Sequence, residues 1–182
     1  MVQINPLKRN GRNGGKSRRG FSLIELVIVV VIIGIIAAIA IPRMSRGSAG
    51  AADSALAQNL AILRNAIDMY QTEHGGVYPA GNGSTLTVEK LLLEYSNAAG
   101  TQTSKTKNAG SGIIYGPYLR AIPPLTVGDY KGKTGIKEVT DPTGDVPAGS
   151  TGEDGWLYNS VSGNIRANAA GADVSNKAYS SY

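Results

Sequence analysis

The chain is expected to be an α+β protein, a long N-terminal α-helix packed on a small antiparallel β-sheet head. Three observations lead there. Sixteen successive apolar residues run from Leu26 to Ile41 behind a basic arm. A stripe of apolar residues at helical spacing continues beyond Pro42. The second half then breaks into short segments bounded by glycine and proline, the pattern of brief strands and turns.

The first element is residues 1–20. Lys8, Arg9, Arg12, Lys16, Arg18 and Arg19 lie there with no acid beside them. The 182 residues carry 18 bases and 13 acids, a net of +5. From Phe21 onward, 12 bases face 13 acids, a net of −1. The basic excess therefore belongs to the arm alone, and the remainder gives nucleic acid no electrostatic reason to bind. With no cysteine and a single histidine, the chain offers no disulfide, thiol nucleophile, zinc-thiolate site or histidine cluster. Only His74 could serve as an imidazole base, so no nucleophilic triad is supported and an enzyme is not expected.

The second element is residues 21–42. Phe21 to Ile41 gives roughly 31 Å of helix, the thickness of a hydrocarbon core. The preceding bases place its N-terminus in the cytoplasm and everything beyond Pro42 across the membrane. Gly34 and Pro42 are the residues that weaken a helix, one by entropy and the other by a missing N–H.

The third element, residues 43–76, is an amphipathic helix. Leu56, Leu60, Leu63, Ile67 and Tyr70 form one stripe, and Gly75 and Gly76 stop it. His74 suits the dipole of the helix end. The helix is expected to run from Phe21 to His74, on the order of 80 Å, a length suited to a filament spine.

Residues 77–182 form the head. Leu91, Leu92, Leu93 and Tyr95 read as a short helix opened by Thr87. The polar run 96–112 reads as a mobile loop. Strands are expected at Ile136–Thr140, Trp156–Ser160 and Gly163–Ala167, and the small polar residues 168–182 are expected to fray.

Three devices use a basic arm followed by an apolar run. A general secretory signal would be cleaved after Ala38-Ile39-Ala40, and Ser17-Arg18-Arg19-Gly20-Phe21 suits a twin-arginine signal. Either would make the chain an exported periplasmic enzyme or binding protein. Neither explains Glu25, because a carboxylate at the edge of a membrane span is costly without a partner.

Gly20-Phe21-Ser22-Leu23-Ile24-Glu25-Leu26 and the long apolar run resemble the prepilin-type cleavage and methylation site of type IV pilins and type II secretion pseudopilins. The resemblance implies cleavage between Gly20 and Phe21 by a prepilin peptidase, N-methylation of Phe21, and assembly through Glu25 meeting the Phe21 amine of a neighbour. It implies loosening of the packed helix near Gly34 and Pro42. It also implies partners: further copies or other pseudopilins, and an inner-membrane assembly platform with its cytoplasmic ATPase. Gly75-Gly76-Val77-Tyr78-Pro79, Gly116-Pro117-Tyr118-Leu119 and Gly155-Trp156-Leu157-Tyr158 make the head most similar to major pseudopilins. The chain is then expected to be a single-pass inner-membrane protein with a periplasmic head, forming a periplasmic pseudopilus. A type IV pilin or competence pseudopilin of a surface filament is the alternative. No cofactor is expected. Asp141, Asp145, Glu153 and Asp154 are calcium candidates by the family's habit, but their spacing matches no EF-hand loop and the solvated acidic loop is the favoured reading.

Overall fold

The computed structural model describes residues 20–141 and 152–182, apart from the side chains at 42, 43, 45 and 46. The leader bases and Asp145 lie outside the described residues. The chain divides into two units, Met1–Pro42 and Arg43–Tyr182, and the architecture is α+β.

Helix α1 spans Leu23–Glu73 and belongs to both units. In the first unit, Leu23–Ile41 is long and apolar enough to cross a membrane, and none of it is buried. In the second, the apolar stripe faces the core: Leu56, Leu60, Leu63, Ile67 and Tyr70 are all buried. Gly75 and Gly76 end the helix with φ of +67° and +90°, a backbone that favours glycine.

Helix α2 is Val88–Leu93, and Thr87 caps it by accepting the Lys90 N–H. Its buried Val88, Leu91 and Leu92 join the α1 stripe. Tyr95, expected within this helix, instead opens strand β1, Tyr95–Ser96, which pairs antiparallel with β2, Thr103–Ser104. The run 96–112 is therefore a short hairpin followed by a 3₁₀ turn at Ala109–Ser111, rather than an irregular loop. Asn97 organises it: its Oδ1 accepts the N–H groups of Thr101 and Gln102 at 2.9 and 3.1 Å. A side-chain amide thus stands in for the apolar anchors that the composition lacks.

The main sheet has three strands in the order β3 (Ile136–Val139), β4 (Trp156–Asn159), β5 (Ile165–Ala167). All three start or end within two residues of the expected positions. The sheet is mixed rather than wholly antiparallel: β4 and β5 form an antiparallel hairpin, whereas β3 and β4 run parallel. Residues 140–155 between them are long enough for the crossover that a parallel pair needs. Trp156 and Tyr158 are fully buried, and the Trp156 indole N–H donates to the Pro123 carbonyl at 2.8 Å.

Residues 168–182 do not fray. Tyr179 and Tyr182 pack on the core, and a 3₁₀ turn forms at Tyr179–Ser181. The physical reason lies in contacts that composition does not display, described below.

Candidate processing and assembly site

Gly20, Phe21 and Ser22 precede α1 without regular structure. The helix begins when the Ser22 carbonyl accepts the Leu26 N–H at 3.1 Å. The Gly20–Phe21 bond therefore lies just outside the first turn. A Cβ built on Gly20 would meet nothing within 4 Å. Among the described residues, nothing packs against this position to require glycine. Phe21 is 81% exposed.

Glu25 occupies the first turn of α1 and is exposed. The free N–H groups and the positive end of the helix dipole favour a carboxylate in that turn. This local term makes Glu25 tolerable in an otherwise apolar helix, and it leaves both carboxylate oxygens available to a cation. Gly34 also has open space around it, and α1 runs through both Gly34 and Pro42.

His74 is buried beneath the β1–β2 hairpin and stacks on Tyr70, with ring centroids 3.8 Å apart. Its Nδ1 lies 2.9 Å from the Tyr70 carbonyl and its Nε2 lies 3.0 Å from Ser96 Oγ. A carbonyl only accepts, so Nδ1 carries the proton. Beside it the Tyr118 hydroxyl donates to Glu73 Oε2 at 2.6 Å. Burial, and then that carboxylate, push the phenol well above its ordinary value. Ser96 and His74 have the spacing of a nucleophile and its base, yet Ser96 is fully buried. A substrate has no route to it, and the pair acts as a clip between the end of α1 and β1.

Of the calcium candidates, Asp141, Glu153 and Asp154 lie among the described residues. Glu153 pairs with Lys133 at 3.2 Å on the surface. The Asp154 carboxylate lies against the backbone of Gly135, and the Asp141 carbonyl accepts from Asn159. Among the described residues, no three aspartate, glutamate or histidine side chains converge on a point where an ion could sit.

Sequence reasoning passed over Asp53 and undervalued His74. Both continue the α1 stripe in register, Asp53-Leu56-Leu60-Leu63-Ile67-Tyr70-His74, and both are buried. A polar residue at a core position of a helix needs a partner, and that signal was available.

Residues 15–41 match the family model of the prokaryotic N-terminal methylation motif. The chain thus carries the N-terminal signature typical of type IV pilin-like proteins and pseudopilins, and the match includes Gly20, Phe21 and Glu25. Proteins with this motif are structural subunits, processed by a prepilin peptidase and polymerised. No curated protein and no solved structure gives a match.

Proposed function

We propose that the chain is a structural subunit of a type II secretion pseudopilus. It is cleaved between Gly20 and Phe21, N-methylated at Phe21 and polymerised through its N-terminal helix. The observation that carries this reading is the methylation motif on an apolar helix whose membrane-length segment, Leu23–Ile41, is wholly unburied and holds one carboxylate, Glu25, in its first turn.

Cleavage creates a cationic amine four residues before Glu25. Within lipid, the carboxylate of an incoming subunit and the Phe21 amine of one already assembled neutralise each other. Desolvation offsets much of the attraction, so the pair sets register more than it adds stability. Gly34 and Pro42 let the helix loosen between neighbours. The assembly partners are further copies or other pseudopilins, on an inner-membrane platform driven by a cytoplasmic ATPase. The head lies in the periplasm and is not catalytic.

Intact mass and N-terminal sequencing of the protein from its membrane fraction test the first step. An N-methylated Phe21 is expected; an N-terminus at Ile41 would mean an export signal instead. Glu25→Ala is expected to be cleaved and inserted normally but to form no filaments, and normal filaments from that variant would refute the assembly role. A filament confined to the periplasm separates the pseudopilus from a surface pilus.

A further inference from the structure

The turn that leads into α2 is organised by one side-chain amide, and that amide stands next to a glycine. Asn82 Oδ1 accepts the N–H groups of Ser84, Thr85 and Leu86 at 3.2, 3.1 and 2.9 Å. The Asn82 N–H donates to the Leu86 carbonyl at 2.9 Å and closes the turn. The nitrogen end of the amide is weakly engaged: Nδ2 makes a single hydrogen bond, to Thr85 Oγ1 at 3.2 Å. Residues 82–85 are all exposed, so water reaches the whole group.

Gly83 completes the arrangement. Its φ is +77°, and a Cβ there would meet nothing within 4 Å. Its N–H makes no hydrogen bond among the described residues. With no side chain beside it, such a backbone nitrogen can reach Cγ of the preceding asparagine and close a five-membered ring. The attack puts negative charge on Oδ1, at which three N–H donors are already aimed, as in an oxyanion hole. Other asparagines that hold turns lack one of these conditions. Asn97 and Asn108 are followed by Ala98 and Ala109, whose Cβ crowds the ring. The Lys177 N–H after Asn176 is spent on Asp173 Oδ1. The Asn-Gly pair recurs at Asn10-Gly11 and Asn13-Gly14, outside the described residues.

We infer that Asn82 is a self-modification site, converted to aspartate with water as the co-reactant. The Gly83 nitrogen bonds to Asn82 Cγ, and the Cγ–Nδ2 bond breaks. The proton of Gly83 passes through water to Nδ2, which leaves as ammonia. Water then opens the cyclic imide at one of its two carbonyls. Opening at Cγ breaks the new Cγ–N bond and restores the original main chain, with a carboxylate at position 82. Opening at the main-chain carbon routes the chain through Cγ and gives isoaspartate. Unaided, the main-chain carbonyl is the more electrophilic, because an electron-withdrawing nitrogen sits on its Cα. The three donors polarise Cγ=Oδ1 instead, so the fold directs water to Cγ. The fold also accommodates the product, since N–H bonds to a carboxylate are charge-assisted and stronger than those to a neutral amide. Repulsion from Glu138, which accepts the Gly81 N–H at 2.8 Å, is screened by salt at this exposed position. Each copy converted gains one negative charge in the head.

The test keeps the full-length chain folded in detergent micelles, in mildly alkaline buffer. Peptide mapping by electron-transfer mass spectrometry follows it and separates aspartate from isoaspartate. Asn82 is expected to convert while Asn97 and Asn108 stay intact, with aspartate the major product. The same chain unfolded in urea is expected to convert at Asn82 with isoaspartate the major product, because the donors are then dispersed. Asn82→Asp is expected to unfold at a urea concentration no lower than the parent's. Four results would each overturn the inference: an Asn82 that stays intact in the folded chain after converting in the unfolded one, isoaspartate as the major product in both states, equal loss at Asn97 and Asn108, or a lower midpoint for Asn82→Asp.

Discussion

At the scale of single residues, polar groups set into apolar patterns decide most of what this chain does. Glu25 in the membrane-length segment, and Asp53 and His74 at the two ends of the α1 stripe, each break a hydrophobic register. His74→Ala removes both of its hydrogen bonds and leaves the Ser96 hydroxyl without its imidazole partner in a buried site. The expected loss is about 2–3 kcal/mol of head stability, read as a lower midpoint in urea. Gly163 is constrained by a neighbour: its φ is +74°, and a Cβ there would come within 2.3 Å of the Tyr78 ring. Gly163→Ala is expected to cost at least 1–2 kcal/mol, because the left-handed backbone alone costs about that much. A midpoint equal to the parent's would show that the turn relaxes freely. Gly20 and Glu25 stand out in sequence because they fall within the N-terminal methylation motif. Ser96 does not, since nothing local marks one serine among many as the partner of His74.

At the scale of elements, α1 and the hairpin β4–β5 were legible because their patterns are local: a 3.6-residue stripe, and an aromatic strand followed by a Ser-Gly turn. The parallel pairing of β3 with β4 is non-local and left no such trace. The C-terminal strap, residues 170–182 held against α1, was hidden for the same reason, as Asp53 and the Val174 it holds lie 121 positions apart. Its pH response follows from its phenols. The hydrogen bond to Asp173, and then desolvation, push the Tyr182 hydroxyl up to about 12 from 10; burial and Asp53 raise Tyr179. An acid whose folded value is raised contributes fully below its unfolded value and is lost as pH rises through the folded one. The strap is therefore expected to detach between about pH 10 and 12, seen as accelerated proteolysis of 170–182. Tyr70, pushed up to about 12 by burial, titrates in the same window but within the core. Tyr182→Phe isolates the strap's share, and an unaltered alkaline profile in that variant would remove Tyr182 from the account. On the acid side the Tyr182 hydrogen bond holds Asp173 below the usual carboxylate value. That contribution is present above about pH 4 and is lost as pH falls through the lowered value.

At the scale of the whole molecule, the proposed cleavage after Gly20 would divide the charge unevenly. Removing residues 1–20 would take away six bases and change a net of +5 to −1. Glu153 pairs with Lys133 and Asp154 lies against Gly135, and the melting temperature of the full chain in chelator and in millimolar calcium tests whether the acids of this loop take up the ion. A site filled a hundredfold above its Kd would add about 2.7 kcal/mol, a rise of several degrees that calorimetry would detect. The aromatic inventory also divides along the chain: Trp156 and all nine tyrosines lie at position 70 or beyond, and only Phe21 precedes them. With its indole fully buried and hydrogen-bonded to Pro123, the single tryptophan makes the head its own fluorophore. The apolar segment is dark at the same wavelengths. Emission from detergent, bilayer or filament therefore reports head unfolding alone, with no label added and no background from the helix that carries the subunit.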